Sequence, residues 1–588
     1  MNLSSIYHRC ADQYCYPLDD DTMIISIKTG YDITNVTLTF GDPFTTGING
    51  GNSRFKGSDT EAFSIKRLEY HTLWSFRVKP EFKRVTYYFN LESDDEKMIM
   101  CEDRFYTPEE FKNYRGRQQL FIYSWMNPSD IIRTPEWVNE TVWYQIFVDR
   151  FCNRNPDYNP KDVLPWRAPD KKVKPFDYYG GDIPGITSKL DYLRDLGITG
   201  LYLTPICSGK SNHKYDTISY TKIDPHFGTD EDMAEMVKQA HQRGIRVMMD
   251  GVFNHSGAFF KPWQDVVKNG PESKYYNWFM VNKWPFEKGW KNTAKGNYYA
   301  FAFVDMMPKL NTNNEEVIRY IIKVIKKWIK KYDIDALRLD VSDEISHTLC
   351  KRMHKELKAI KPDFYILGEA WHDAIGWLRG DEFDSVMNYP FTDSVGDFWM
   401  DETKSSTDFE YAINRCYSLY PLQINRVLFN LLDSHDTMRL VTKLGGNLRQ
   451  FYQQLAVLFT MPGTVCIYYG TEIALEGSYD PDCRRCMPWN LIMKGQYYDK
   501  IECVKELISL RKSHPALRSN HYHFIQKFDN DRVLSYQRTS DDDSETIEIV
   551  INCSKENLLC DVSKKQILFS IGYSQPELHP DGVMIYSI

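Results

Sequence analysis

The sequence predicts an α/β protein: a (β/α)8 barrel with an excursion subdomain after its third strand, flanked by antiparallel β-sandwich domains on its N- and C-terminal sides. Three observations carry this. Between about Trp143 and Tyr469, eight short apolar runs alternate with helical patterns, which is the rhythm of parallel βαβ units closing into a barrel. Short β-rich runs separated by turn residues come before and after that region. No GxGxxG follows any strand, which argues against a doubly wound dinucleotide-binding sheet. A chain of 588 residues has room for about three or four domains.

In chain order, the first strands are expected at Thr22–Thr29, Asn35–Gly41, Thr72–Val78 and Val85–Leu91. The Gly- and Asn-rich stretch Gly47–Gly57 lies between the second and third. Residues 1–125 form the first domain, and Met126–Glu140, with two prolines and little periodicity, reads as a linker. The barrel region, residues 126–515, follows. Its strands are expected at Trp143–Val148, Ile198–Thr204, Ile245–Val252, Ile334–Leu339, Phe364–Gly368, Asp384–Met387, Val427–Leu432 and Val465–Tyr469.

Helices are expected at Thr187–Leu196, from Thr229 (with Asp232 three residues on, in the manner of a capping box) to Gly244, and at Glu315–Lys331. In the last, Val317, Ile321, Ile325 and Trp328 share one face. Residues 256–311 interrupt the alternation with an aromatic-rich excursion. A helix at Ile501–Ser513 is halted by Pro515, and the runs VLSYQR and TIEIVIN mark a C-terminal antiparallel β domain over residues 516–588.

Composition narrows the function classes. Lys+Arg is 72 and Asp+Glu 80, a formal charge of −8, which is the wrong sign for neutralising phosphates, so no nucleic-acid partner is expected. Aromatic residues make up 14% of the chain, which argues against disorder. The N-terminus has neither a cationic n-region nor an apolar h-region, and no apolar run reaches membrane-spanning length. A soluble, cytoplasmic protein with no membrane partner is expected. The 13 cysteines are therefore read as free thiols, and Cys483-Arg-Arg-Cys486 as a lone CxxC without a second ligand pair.

Chemistry in such a barrel sits at the carboxyl ends of the strands. Four ends stand out: Asp250-Gly-Val-Phe-Asn-His255 after the third, Arg338-Leu-Asp340 in the fourth, Gly368-Glu369-Ala-Trp371-His372 after the fifth, and Asp433-Ser-His435-Asp436 after the seventh. Arg338 and Asp340 lie two apart on a strand and so share a face, with Cβ atoms about 7 Å apart. The guanidinium is expected to hold Asp340 ionised. Glu369 ends an apolar run beside Trp371, where desolvation is expected to keep it a proton donor. One charged and one protonated carboxyl is the pairing of glycoside hydrolysis, and Asp436 adds negative potential for a developing cation.

These segments, DGVFNH, ALRLDVSDE, GEAWHDA and LLDSHD, resemble in order and spacing the conserved regions of the α-amylase superfamily of glycoside hydrolases. Met307-Pro-Lys-Leu-Asn311 looks like the signature of its neopullulanase, cyclomaltodextrinase and maltogenic amylase group, and Gly200–Pro205, Asn212–Asp216 and the opening Ser5–Arg9 also match. The resemblance implies Asp340 as nucleophile of a retaining reaction, Glu369 as acid/base and Asp436 as transition-state stabiliser. It implies Arg338 orienting Asp340, His255 and His435 binding sugar hydroxyls, Tyr215 stacking beneath the sugar, and Trp371 with rings of the Phe259–Tyr299 excursion lining neighbouring subsites. For any one of those rings, a place in a small packed subdomain is the competing reading.

The implied substrates are α-1,4-glucans: cyclodextrins, maltodextrins, pullulan or starch. The alternatives are an α-glucosidase or glucanotransferase on the same site, or a catalytically silent carbohydrate-binding protein. No cofactor is required. Calcium is the one structural metal the resemblance admits, with Asn153, Asn155, Gly180 and Asp182 as its candidate ligands. The N-terminal sandwich would be carbohydrate-binding-module-like, and a homodimer is implied. Ala336 stands where the family has Gly, and Ser342-Asp343 where Ala-Asn or Ala-Asp is usual, which leaves acceptor preference open.

Overall fold

The computed structural model describes residues 1–44, 55–114, 118–289 and 291–588, so most of the Gly47–Gly57 stretch lies outside the described residues. The chain divides into two compact units. One comprises Met1–Arg133 with Leu378–Gly380 and Lys404–Asn425, and the other holds the remainder.

In the first unit, strands form where β-branched and aromatic residues alternate with polar ones. Met23–Thr29 pairs antiparallel with Thr72–Val78, and Asn35–Gly41 with Val85–Glu92, at the centres of a four-stranded and a six-stranded sheet. Ile25, Ile27 and Phe76 of one sheet and Val36, Leu38, Tyr87 and Phe89 of the other enter a single apolar core. The two sheets therefore bury their inner faces as a sandwich. Residues 404–425 reach this unit from far along the chain: the backbone N–H of Leu422 donates to Tyr16 Oη at 3.1 Å.

The second unit contains the barrel. Its strands are β1 (Val142–Ile146), β2 (Gly200–Leu203), β3 (Arg246–Gly251), β4 (Ala336–Leu339), β5 (Tyr365–Gly368), β6 (Ser385–Val386), β7 (Phe429–Asn430) and β8 (Thr464–Tyr468). All pair in parallel, in the order β6-β5-β4-β3-β2-β1-β8-β7. A parallel bridge between Met387 and Phe429 joins the two edges. Each expected strand is present, shortened by zero to four residues because chain ends leave the ladder before the apolar pattern stops. Trp143, Tyr202, Met248, Ala336, Tyr365, Phe429 and Cys466 fill the interior, so the barrel is a packed core with its chemistry confined to one rim.

The helices follow local signals. Thr229 and Asp232 complete a reciprocal capping box on Asp230–Gln242. Glu315–Tyr332 buries Val317, Ile321, Ile325 and Trp328 and ends at Asp333 in the left-handed region. The helix expected at Thr187–Leu196 is instead two pieces, Ile183–Thr187 and Leu190–Leu196. Asp182 caps the first and Pro184 stands in its opening turn, so the turn starts earlier than periodicity indicates.

After β3 the excursion folds around Trp263, whose indole packs on Phe279, Phe286 and Tyr298. Those rings are subdomain core, while Phe259 is exposed and Trp290 lies outside the described residues. The C-terminal six-stranded antiparallel sheet is centred on Val533–Thr539, Thr546–Asn552 and Glu577–Ser587. All 13 cysteines are free. No helix among the described residues is long and apolar enough to cross a membrane.

Candidate active site

The residues singled out in sequence converge on a cavity of about 480 Å³ at the carboxyl rim of the barrel. Asp340, Glu369, Asp436, Tyr215, His255 and Trp371 line it, and Arg338 and His435 stand directly behind them. The parallel register explains the convergence: Asp250 of β3 lies beside Arg338 of β4, and Leu339 beside Gly368 of β5. Neighbouring strands thus deliver carboxyl groups at nearly one height.

Arg338 is fully buried and is the hub. Its Nη1 donates to both oxygens of Asp250, at 3.0 and 2.8 Å, and to Asp340 Oδ1 at 3.0 Å. Its Nη2 pairs with Glu369 Oε2 at 2.7 Å. Tyr202 and Tyr215 hydroxyls donate to Asp250 Oδ2 at 2.8 and 3.1 Å. One cation therefore serves three carboxylates.

This changes the expected electrostatics. The sequence assigned Arg338 to Asp340 alone and expected only Glu369 to be lifted. In the structure burial pushes the carboxyls of Asp340, Glu369 and Asp436 all upward, with Arg338 opposing in each case. Burial likewise pushes Asp250 up to about 6. A charge divided among three partners cannot hold any one of them at the usual carboxylate value. The carboxyls titrate as a set, sharing protons among themselves.

Glu369 is further held by backbone and side-chain donors. Val341 N donates to its Oε2 at 2.8 Å and Trp371 Nε1 to its Oε1 at 3.3 Å. Val341 adopts φ 45°, ψ 50°, a left-handed conformation that a β-branched side chain resists. The strain is spent on aiming that N–H at Glu369. The Trp371 indole, half-exposed, stacks on Tyr389 at 3.6 Å.

On the opposite wall, Gln145 Nε2 lies 2.7 Å from His435 Nδ1. With the amide donating there, the ring proton sits on Nε2, 3.1 Å from Asp436 Oδ2 and 2.5 Å from Tyr215 Oη. Burial pushes His435 well down and His255 down to about 3, so both rings are neutral. His255 Nε2 donates to the Tyr215 carbonyl at 3.2 Å, and its ring stacks on Phe301, which also lines the cavity. Tyr215 lies parallel to the His435 ring, with centroids 5.4 Å apart.

Several lining residues escaped the sequence reading. Arg484 bridges Asp436, at 3.4 Å, and Asp480, at 2.7 Å. It lies between the two cysteines of the CxxC, so attention to the thiols concealed the arginine. Those thiols are buried and pushed up to about 12 by burial. His213, Phe301, Met307, Val341, Asp343, Glu344 and Asp480 complete the lining; His213, Met307, Val341, Asp343 and Glu344 lie in segments singled out in sequence without a role for each. Asp250 was visible as a strand end, and its partnership with Arg338 follows from their adjacent register.

The candidate calcium ligands do come together, tied to one another and to their neighbours by hydrogen bonds. Asp182 Oδ2 accepts from the backbone of Arg154 and Asn155, at 3.1 and 2.7 Å, and its Oδ1 accepts from Gly185 N at 2.6 Å. Asn153 Nδ2 donates to Asn159 Oδ1 at 2.9 Å, and Gly180 N to Asp149 Oδ1 at 3.2 Å. Calcium draws on six to eight oxygens. A set with Asp182 as its one carboxylate, both oxygens already accepting N–H groups, does not fit that ion.

A barrel with a carboxylate cluster at its rim suits glycoside hydrolysis, and comparison with known proteins shows the family. The family described as "Alpha amylase, catalytic domain" matches residues 145–519, and "Alpha amylase, N-terminal ig-like domain" matches residues 1–124. The chain belongs to the α-amylase family of glycoside hydrolases. It is 43% identical to the cyclomaltodextrinase of Geobacillus thermopakistaniensis over 559 residues, covering 95% of this chain and 92% of the relative. It is 39% identical to the intracellular maltogenic amylase of Bacillus subtilis, covering 97% and 96%. Its fold matches a solved cyclomaltodextrinase structure with a TM-score of 0.89 at 35% identity, covering 100% of both chains.

The raised carboxyls have a consequence for stability. When burial lifts a carboxyl above its unfolded value, the folded chain holds a proton that the unfolded chain has released, so stability falls as pH rises through that interval. For Asp250 the interval runs from 3.8 to about 6. Asp340→Asn removes one crowded carboxylate, so its melting temperature is expected to exceed that of the unsubstituted protein at pH 7, by a margin that shrinks toward pH 4. Thermal melts of the two proteins at both pH values check this, and a margin as large at pH 4 as at pH 7 would contradict it.

Proposed function

We propose that the protein is a retaining hydrolase of α-1,4-glucosidic bonds in cyclodextrins and maltodextrins, with pullulan and starch as further substrates. The observation that carries this is the single guanidinium of Arg338 gripping Asp340 and Glu369 through its two neighbouring terminal nitrogens. Carboxylates gripped in this way stand close together. That favours the ~5–5.5 Å spacing of double displacement over the ~6.5–9.5 Å that leaves room for a water between them.

In this reading Asp340 attacks the anomeric carbon and forms a covalent glycosyl-enzyme while Glu369 protonates the departing glycosidic oxygen. The shared proton of the cluster belongs on Glu369 in the resting enzyme. Once the glycosyl-enzyme has formed, the Asp340 carboxylate is esterified and its negative charge is gone. Arg338 is then left to stabilise ionised Glu369, which activates water for the second step. Asp436, backed by His435 and Arg484, supplies negative potential to the oxocarbenium-like transition state. Neutral His255 lines the cavity within reach of a sugar hydroxyl, His435 backs Asp436 and Tyr215 from behind the lining, and Tyr215 and Trp371 offer ring faces.

Two relatives named for cyclodextrin and maltogenic activity support the substrate class, and one of them being named intracellular supports a cytoplasmic location. The resemblance to that group also supports a homodimer. Light scattering should then give twice the 69.2 kDa chain mass, and a 69.2 kDa particle at working concentration would contradict it.

Glu369→Gln tests the division of labour. It is expected to lose about 10²–10⁴-fold on maltotriose, and far less in the first turnover of a maltosyl fluoride, whose leaving group needs no proton. Added azide should restore its steady-state turnover on the fluoride by replacing activated water. Equal losses on both substrates, with no azide effect, would contradict the acid/base role.

A further inference from the structure

Beside Glu369 the cavity wall is formed by Val341 and the short turn Ser342–Glu344. Two more carboxylates on this turn, Asp343 and Glu344, face the cavity. Each has a cationic partner from elsewhere in the barrel. Glu344 pairs with Lys309 Nζ at 2.9 Å. Asp343 Oδ2 pairs with His372 Nε2 at 3.0 Å.

His372 follows Glu369 by three residues, and its other nitrogen, Nδ1, lies 3.0 Å from the Asp373 carbonyl oxygen. Acceptors at both ring nitrogens favour the doubly protonated, cationic ring. The carbonyl of Asp373 and the carboxylate of Asp343 both push His372 upward, against its partial burial. Asp343 and Asp373 are the charged groups that face the ring, and Trp377 lies 6.3 Å from it. Among the described residues, the Asp343 carboxylate is engaged through Oδ2, and Asp343 lines the cavity.

We propose that His372 is a positioning residue: it fixes Asp343 so that the carboxylate's other oxygen accepts a hydroxyl of the sugar that leaves from, or returns to, the Glu369 side of the cavity. The inference rests on the reading in which Glu369 protonates the leaving oxygen, since that places the departing sugar against this wall. By microscopic reversibility, a sugar that attacks the glycosyl-enzyme occupies the same place. Water needs no such anchor. The His372–Asp343 pair therefore sets the share of intermediate that goes to sugar acceptors instead of to water. Sequence pattern alone marked the Ser342-Asp343 pair as a departure without giving Asp343 its partner.

The test uses an aryl α-maltoside as donor and glucose as acceptor, and reads the ratio of transfer product to free maltose. The aryl group makes no use of the sugar contacts, and the ratio cancels the shared first step. His372→Asn is expected to lower the ratio about tenfold to a hundredfold, the effect of losing a hydrogen bond to a charged group. His372→Lys, which keeps the cation, is expected to return it to within about twofold of the unsubstituted protein. Asp343→Asn should lower it as His372→Asn does, giving a second route if one variant folds poorly. In the unsubstituted protein the ratio should fall as pH rises through the titration of His372, and this fall should be absent from His372→Lys.

An unchanged ratio in His372→Asn, or a loss that His372→Lys fails to restore, would overturn the inference while leaving hydrolysis intact. If the unsubstituted protein released no aryl group from the maltoside, the reading of the site itself would be what failed.

Discussion

The fully buried guanidinium of Arg338 is the constraint around which this site is organised. Removing an arginine from water is costly unless its charge is matched, and here the matching is done by Asp250, Asp340 and Glu369 together. The geometry that satisfies the arginine also brings two carboxylates to one sugar-sized space. The parallel register of β3, β4 and β5 supplies those partners from three strands, so the requirement to compensate one buried charge ties the chemistry to the barrel.

Sharing one cation has a functional logic. A nucleophile must be ionised and an acid must be protonated, yet burial lifts both carboxyls. A cluster with one proton can be both at once, with its members exchanging roles as the reaction proceeds. In the proposed reaction Asp340 loses its negative charge on becoming an ester, and the same guanidinium is then free to stabilise Glu369 as base. The left-handed Val341 contributes a fixed N–H to Glu369 throughout, a preorganised dipole obtained at the cost of backbone strain.

Much of this was legible in the sequence because strong local signals agree with the global fold. Eight apolar runs became eight strands, and the Thr229–Asp232 pair became a reciprocal cap. The eight residues expected in catalysis and substrate binding all reached one cavity or its backing layer. What stayed hidden depends on tertiary proximity. Arg484 sits in a loop after β8, and nothing in its neighbours on the chain announces Asp436 as its partner. The dilution of Arg338 over three carboxylates needs the sheet register, whereas sequence spacing showed only its nearest partner. The rings of the excursion share one composition but divide between a core around Trp263 and the cavity-lining Phe301, which composition cannot distinguish. The candidate calcium ligand Asp182 caps a helix, and an aspartate before a turn reads the same from sequence in either role.

The central claim is that Asp340, held by the shared arginine, becomes covalently attached to sugar. Reacting the protein with a 5-fluoro-α-glycosyl fluoride, whose electron-withdrawing substituent slows breakdown of the intermediate, and mapping the adduct by peptide mass spectrometry tests this directly. The account predicts a single glycosyl adduct on Asp340, which disappears in Asp340→Asn. An adduct on another residue, or turnover of the reagent with inversion at the anomeric carbon, would contradict it.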